Sequence, residues 1–202
     1  MKTILRWTFA ILLASAIVAQ PAIAYDYPLS SSAIRAAYFL GSGDPNKRIE
    51  YFEKYVKRYP VPKSGQYVAS IRFETPYYVT AERVSQSVSN YFAQDAEKDY
   101  LGKPTVCRVR VEIYYGFDAT QSGRVQMDYA VRLRQRGKEI PAKTHWIDGF
   151  VSSDDEGSAN DGFYLTAEFD ADDIDSEAPA RVEVIAPDGR NIVDTFDLAT
   201  LR

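Results

Sequence analysis

The spacing of apolar residues along the chain changes near residue 104. Between residues 30 and 100, apolar side chains recur mainly every three or four positions, as in helices that bury one face. From residue 105 onward they mainly alternate with polar side chains, as in strands with one face on a core and one in water. The pattern predicts an α+β fold. A mainly helical N-terminal region, residues 25–104, packs with a C-terminal antiparallel β-sandwich, residues 105–202.

Capping residues predict three helices in the N-terminal region. The first begins at the serines of residues 30–32 and ends at Gly41, because glycine readily takes the left-handed conformation at a helix end. The second, residues 45–59, has Asp44 as its cap and a proline in its first turn. The third, residues 75–100, starts in the same way with a Thr-Pro pair.

The strands are predicted from alternation. It is clearest over residues 105–115 and 124–134, and the turn-rich residues between them predict an antiparallel meander. Residues 66–74 predict an isolated strand, whose expected core side consists of Tyr67, Ala69, Ile71 and Phe73. Further strands are expected over residues 144–151, 163–169, 182–184 and 192–198.

The number of strands favours a particular way of closing the sheets. Six or seven short strands separated by turn signals are typical of a sandwich, and an immunoglobulin-like arrangement is the commonest way to close one. The paired cysteines that mark antibody domains are absent, because Cys107 is the only cysteine. The immunoglobulin-like arrangement is therefore an architectural guess.

The first 24 residues have the features of an export signal. Lys2 and Arg6 precede an apolar stretch of about 12 residues, which is too short to span a bilayer. Ala22 and Ala24 then form the small-x-small pattern of a signal-peptidase cleavage site. We expect residues 1–24 to be removed and the protein to be exported to the periplasm or the extracellular space, with no stable membrane span left. An uncleaved anchor is the alternative.

Charge is distributed unevenly along the chain. The sequence contains 24 basic and 28 acidic residues, a balance that argues against a nucleic-acid partner. Residues 105–150 hold eight basic and five acidic side chains, whereas residues 151–180 hold ten acidic and no basic ones. A calcium site is one hypothesis for the acidic segment, with Asp170, Asp172, Asp173 and Asp175 as its oxygen ligands. The alternative is a solvated acidic edge, and no other cofactor is predicted.

The residues that most often carry catalysis are scarce. Cys107 and His145 are the only thiol and the only imidazole, and Cys107 lies on the predicted buried side of its strand. Neither a nucleophile-elbow motif nor a zinc-protease motif is present. A catalytic role is therefore not indicated by any motif, although carboxylate pairs are too common to be assessed from the sequence.

Aromatic and basic side chains are the candidates for binding. Tyr114 and Tyr164 fall on the outward side of their predicted strands, and Trp146 is expected beside them. Arg132 and Arg134 form the basic end of another strand and are candidates for steering a partner. Alternatively, the aromatic rings lie beneath the N-terminal helices and are part of the core.

These observations predict an exported, non-catalytic binding or assembly protein whose sandwich presents a charged and aromatic surface to a protein or a glycan. Two alternatives remain at this point. One is a secreted hydrolase with unidentified catalytic carboxylates, and the other is a calcium-stabilised structural domain.

Overall fold

The structure, a computed structural model, describes residues 27–87, 90–103, 105–115, 126–153 and 159–201 of the 202-residue chain. The predicted signal peptide, residues 1–24, lies outside these residues. So does the whole turn-rich stretch between the strands predicted at 105–115 and 124–134.

The described part of the chain contains both predicted kinds of element. The helices are α1 (Ser31–Ser42), α2 (Pro45–Glu53), α3 (Pro76–Gln86) and α4 (Ala93–Leu101). The strands are β1 (Val56–Arg58), β2 (Tyr67–Glu74), β3 (Val106–Tyr114), β4 (Ala130–Gln135), β5 (Lys138–Ile140), β6 (Thr144–Ser153), β7 (Ala159–Asp170), β8 (Ala180–Ile185) and β9 (Asn191–Phe196).

The strands form two antiparallel sheets that share one core. The five-stranded sheet has the order β1-β2-β3-β7-β6, and the four-stranded sheet has the order β5-β4-β8-β9. Val111 and Leu165 of the first sheet belong to the same buried cluster as Leu133 and Val182 of the second. The sandwich and the helices confirm the predicted α+β fold. The immunoglobulin-like arrangement stays an architectural guess.

The predicted meander is wrong, because its two strands lie in different sheets. β3 pairs with β2 and β7, whereas β4 pairs with β5 and β8. The chain therefore crosses from one sheet to the other after β3. Alternation along each strand is unaffected by this crossing, which is why the sequence pattern predicts the strands and not their partners.

The strand predicted at residues 66–74 is β2, and it lies between β1 and β3 in the five-stranded sheet. A register shift between Val68 and Ser70 changes the alternation near its start. Val68 is consequently buried, whereas Tyr67 leaves the predicted core side and stacks on Tyr114 of β3. The bulge thus moves one aromatic ring from the core to the opposite side of the sheet.

Gly41 does not end the first helix. α1 continues through Gly41 to Ser42, and the capping residue Gly43 has a negative φ. A Cβ on Gly41 would overlap the carbonyl oxygen of Ala81 in α3. Glycine is needed here because two helix backbones approach closely.

The two later helices are shorter than predicted. α2 ends at Glu53, and the residues expected to continue it form β1, whose hydrogen bonds to β2 replace those of a helix. The helix predicted at residues 75–100 is divided into α3 and α4, and Asn90 between them has a φ of 84°. Phe92, the capping residue of α4, is 58% exposed.

The predicted caps Asp44 and Thr75 are confirmed, and the second of them positions α3 against the sheet. The Asp44 carboxylate accepts a hydrogen bond from the Asn46 N–H at 2.8 Å. Thr75 directly follows β2, and its hydroxyl accepts a hydrogen bond from the Tyr78 N–H at 3.3 Å. α3 therefore begins where β2 ends, and its Glu82 side chain reaches arginines of β2 and β3.

Candidate functional site: the outer face of the five-stranded sheet

The five-stranded sheet has a second side that points away from the shared core, here called the outer face. Along β3 every second residue is completely buried in the core, whereas Arg108, Arg110, Glu112 and Tyr114 are half-buried on the outer face. The strand register places Glu112 between Ser70 of β2 and Tyr164 of β7. This face carries charged and aromatic side chains instead of the aliphatic residues of the core.

Four aromatic rings from four strands form a continuous line across the outer face, here called the aromatic row. Its members are Tyr67, Tyr114, Phe150 and Tyr164. The ring centroids of Tyr67 and Tyr114 are 5.7 Å apart and nearly parallel, those of Tyr114 and Phe150 are 5.3 Å apart, and those of Phe150 and Tyr164 are 4.5 Å apart. All four rings are half-buried, so each retains a surface that a ligand can contact.

Gly162 in β7 is what allows the aromatic row to be continuous. It lies opposite Tyr114 of β3 and Phe150 of β6 in the register of the sheet. A Cβ at this position would lie 2.7 Å from Cζ of Phe150 and would overlap the carbonyl oxygen of Ile113. The Phe150 ring therefore extends over the bare backbone of β7 and reaches Tyr114 on β3.

The hydroxyl groups of the aromatic row stay protonated at neutral pH. Burial and the nearby Glu112 carboxylate raise the pKa of Tyr114 to about 12, and burial is the main reason that the pKa values of Tyr67 and Tyr164 are also raised. The Tyr114 hydroxyl donates to Glu112 at 3.1 Å, and the Ser70 hydroxyl donates to the same carboxylate at 2.7 Å. The Glu112 carboxylate therefore holds the hydroxyls of Tyr114 and Ser70 in place beside the aromatic rings.

Next to the aromatic row lies a group of ion pairs, the Arg-Glu cluster, which consists of Arg72, Arg110, Glu74 and Glu82. Oε1 of Glu74 is 3.4 Å from Nε of Arg110 and 3.9 Å from Nη1 of Arg72. Oε1 of Glu82 is 3.6 Å from Arg110 and 4.0 Å from Arg72. The Arg110 guanidinium also lies 5.9 Å from the ring centroid of Tyr164, which links the cluster to the aromatic row.

Glu74 is the one member of this cluster that solvent does not reach. Its side chain is 0% exposed, and among the described residues neither of its oxygens has a hydrogen-bond donor. Burial therefore raises the pKa of Glu74 to about 7, although Arg110 opposes this shift. The carboxyl group changes its charge near neutral pH, immediately beneath the outer face.

Trp146 and a third arginine extend the outer face toward the edge strand β6. The indole N–H of Trp146 donates to Asp148 at 2.7 Å, and the guanidinium of Arg108 lies 6.0 Å from the Trp146 ring. Arg108 in turn pairs with Glu168 at 2.8 Å. The polar groups here are held in place by neighbours while part of the indole remains exposed.

The structure divides the five residues predicted to bind a partner into two groups. Tyr114, Tyr164 and Trp146 all lie on the outer face. Arg132 and Arg134 lie on β4, whose intervening Leu133 is in the shared core, so both arginines point away from it on the other side of the sandwich. Arg134 pairs there with Glu139 at 3.4 Å and Glu183 at 3.8 Å. The five residues do not form one surface.

Sequence reasoning missed four residues of this site: Tyr67, Glu74, Phe150 and Gly162. Phe150 shares the alternation of Trp146 along β6 and was accessible to the same argument. Tyr67 was assigned to the core because the bulge in β2 has no sequence signal. The roles of Glu74 and Gly162 depend on contacts with residues of other strands. Alternation within one strand does not identify such contacts.

Two of the four candidate calcium ligands, Asp170 and Asp175, are occupied with other contacts. Asp170 accepts from the Asp172 N–H and pairs with Lys143, each at 3.3 Å, and Asp175 pairs with Arg136 at 2.5 Å. Asp172 and Asp173 are exposed. Across the described ranges, no group of three or more His, Cys, Asp or Glu side chains is arranged to hold a metal ion.

Calcium binding by these aspartates stays a prediction, and thermal unfolding tests it. If Asp170, Asp172, Asp173 and Asp175 bind the ion, calcium at a hundred times its dissociation constant raises the free energy of unfolding by about 2.7 kcal/mol. Asparagine at Asp170, Asp172 and Asp173 should then abolish the rise. An unchanged melting temperature in millimolar calcium rejects the hypothesis.

Cys107 and His145 occupy separate places in the sheet. Cys107 is buried and lies opposite Phe169 in β7, whereas His145 in β6 lies opposite Ala167. His145 is exposed and borders an open cleft of about 200 Å³ between the two sheets. The strand β7 separates the two side chains, and the register does not bring the imidazole to the thiol.

Comparisons with known proteins identify no relative of this chain. No protein-family model matches the chain, and no curated protein matches it in sequence.

Within the part of the chain that the structure describes, every helix is too short or too polar to cross a membrane.

Proposed function

We propose that this chain is an exported binding protein that holds an extended glycan against the outer face. The observation that carries the proposal is the aromatic row, in which four half-buried rings lie side by side over four neighbouring strands. Export is inferred from residues 1–24 of the sequence. The periplasm and the extracellular space are both compatible with that segment.

The chemistry of the outer face supports a glycan more than an apolar ligand. Sugar rings have flat patches of C–H groups that stack on aromatic rings, and their hydroxyls need hydrogen-bond partners at the rim. The outer face supplies both, because the rings alternate with the carboxylates of Glu112 and Asp148 and the guanidinium of Arg110. A protein partner that buries the same rings is the alternative outcome.

The arrangement favours binding over catalysis. Glu74 has the strongly raised pKa that a general acid requires, but its side chain is completely buried and lies under Arg72 and Arg110. A ligand stacked on the aromatic row does not reach this carboxyl group. The proposal therefore assigns no bond-breaking step to the outer face.

Removal of one ring from the aromatic row is expected to weaken glycan binding. Tyr164→Ala removes the ring that contacts both Phe150 and the Arg110 guanidinium. We expect retention on glycans, beginning with peptidoglycan, to fall about tenfold or more, equivalent to about 1.4 kcal/mol. Co-sedimentation with the insoluble glycan measures the effect.

A matched control for this experiment is Phe39→Ala, which removes a 67% exposed ring from α1, away from the sheet. Its glycan retention should equal that of the unmodified chain. Equal retention by a folded Tyr164→Ala variant would contradict the proposal. Capture of a protein through the same rings, with no glycan retained, would replace the glycan by a protein partner.

A further inference from the structure

The four edges of the two sheets are protected unequally against pairing with another chain. β1 has three residues, of which Lys57 and Arg58 are charged, and β5 has three residues, of which two are charged. β9 directs Asp194 toward the core side, where its carboxylate accepts from the Tyr59 hydroxyl at 2.9 Å. Short strands, edge charges and inward-pointing charges are the usual devices that prevent edge pairing.

β6 has less of this protection than the other three edges. It spans ten residues, its register with β7 is continuous from end to end, and Asp148 is its only acidic or basic residue besides His145. Among the described residues, its opposite edge pairs with no strand. The backbone of β6 therefore presents a long, regular edge that can accept another strand.

The core side of β6 exposes apolar side chains at this edge. Ile147 is 39% exposed and Val151 is 76% exposed, although both lie on the side of the sheet that faces the sandwich core. The residue between them on that side is Gly149. Two exposed aliphatic residues on either side of a glycine form a small apolar stripe along the free edge.

Among the described residues, nothing requires a glycine at position 149. A Cβ there would meet only the carbonyl oxygen of Gly162, at an ordinary 4.0 Å. Glycine in the interior of a strand costs about 0.5–1 kcal/mol relative to alanine, and such glycines often mark the close approach of another backbone. Because Gly149 carries no side chain, the space between Ile147 and Val151 on the core side of β6 is open to the side chains of a second strand.

The sequence of β6 is complementary to itself in one antiparallel register. With Gly149 on a twofold axis, Ile147 of each copy lies opposite Val151 of the other copy, and Asp148 lies opposite Phe150. If the axis passes through Asp148, the two carboxylates face each other, which destabilises a strand pair. If the axis passes through Ile147, the apolar Val151 of each copy lies opposite the charged Lys143 of the other copy. Burial and charge both favour the axis at Gly149.

We propose that two copies of this chain associate through their β6 strands, antiparallel about a twofold axis at Gly149, and form one continuous ten-stranded sheet. The pairing is isologous, so it closes with two copies and leaves no free β6 edge. The two outer faces then lie on the same side of the joined sheet. Dimerisation is independent of the proposed glycan function and would hold for any ligand.

Sedimentation equilibrium of the purified protein, expressed from the full-length sequence, tests the association. We expect a dimer at micromolar concentration, and Val151→Lys should weaken the association about tenfold or more, because it places a charge opposite Ile147 in both halves of the interface. Val61→Lys, at a 72% exposed valine outside the sheets, is the matched control and should remain dimeric. A monomeric unmodified chain, or a dimer that Val151→Lys leaves intact, would overturn the proposal.

Disulfide cross-linking tests the register. The double variant Ile147→Cys, Val151→Cys should form a covalent dimer on mild oxidation, because each new thiol lies opposite a thiol of the second copy. Within one chain these positions are about 13 Å apart, too far for a disulfide. Neither single variant should cross-link. Efficient cross-linking by Ile147→Cys alone would contradict the axis at Gly149, and circular dichroism of each variant verifies folding.

Discussion

Gly162→Ala is expected to destabilise the protein by about 3 kcal/mol or more and to abolish ligand binding with it. The new Cβ would overlap the carbonyl oxygen of Ile113, which belongs to the central strand β3 and is held by the sheet. It would also lie 2.7 Å from the Phe150 ring. If the β3 backbone moves, hydrogen bonds of the sheet are lost, and if the Phe150 ring moves, the aromatic row is broken. Overpacking of this kind lowers the free energy of unfolding.

Gly149→Ala is the matched control for this prediction, because it makes the same change on the neighbouring strand of the same sheet. Among the described residues, its Cβ would meet only an ordinary contact at 4.0 Å. At a dilution where the chain is monomeric, its free energy of unfolding should change by less than about 1 kcal/mol. Urea denaturation of both variants measures the difference, and equal stability of the two would contradict the account of Gly162.

The second large effect concerns Glu74 and the pH dependence of stability. Burial raises the pKa of Glu74 in the folded chain to about 7, whereas an exposed glutamate in the unfolded chain titrates near 4.5. At a pH between these two pKa values, the Glu74 carboxyl retains a proton in the folded chain that it has released in the unfolded chain. The contribution of Glu74 to stability is therefore greatest below pH 4.5 and decreases as the pH rises through 7, by on the order of 3 kcal/mol.

Glu74→Gln isolates this contribution, because glutamine keeps a similar shape and does not titrate. The charged groups around the position are unchanged: Arg72 on the same strand, Arg108 and Arg110 on β3, and Glu82 on α3. Relative to Glu74→Gln, the unmodified chain should lose stability from about pH 5 to about pH 7 and change little below pH 4. Denaturation curves across this range measure the difference, and a difference independent of pH would show that folding does not shift the pKa of Glu74.

Local signals in the sequence predict much of the fold. Asp44 and Thr75 begin helices as predicted, since each carries an oxygen that satisfies a backbone N–H at a helix end. β3 is predicted almost to the residue by its alternation, because it is buried on one side only. The boundary predicted at residue 104 marks a change in the spacing of apolar residues. It does not divide the sheet, because β1 and β2 on its N-terminal side belong to the same sheet as β3.

The remaining features depend on contacts between distant parts of the chain. The three residues of β1 form a strand because β2 supplies hydrogen bonds, and their spacing alone favoured a longer α2. For the site, alternation correctly placed Tyr114 and Tyr164 on the outward side of their strands. It did not identify the continuity of the aromatic row, because that depends on the absence of a side chain at Gly162.

Site-specific photo-cross-linking in the presence of glycan tests most directly whether the outer face binds the ligand. Tyr114 is replaced by benzoylphenylalanine, because it lies at the centre of the aromatic row and away from the β6 edge. The control position is Val193, which is 40% exposed on β9 of the other sheet. The proposed function predicts a glycan adduct from position 114 and none from position 193. Equal yields from the two positions, or an adduct from position 193 alone, would contradict it.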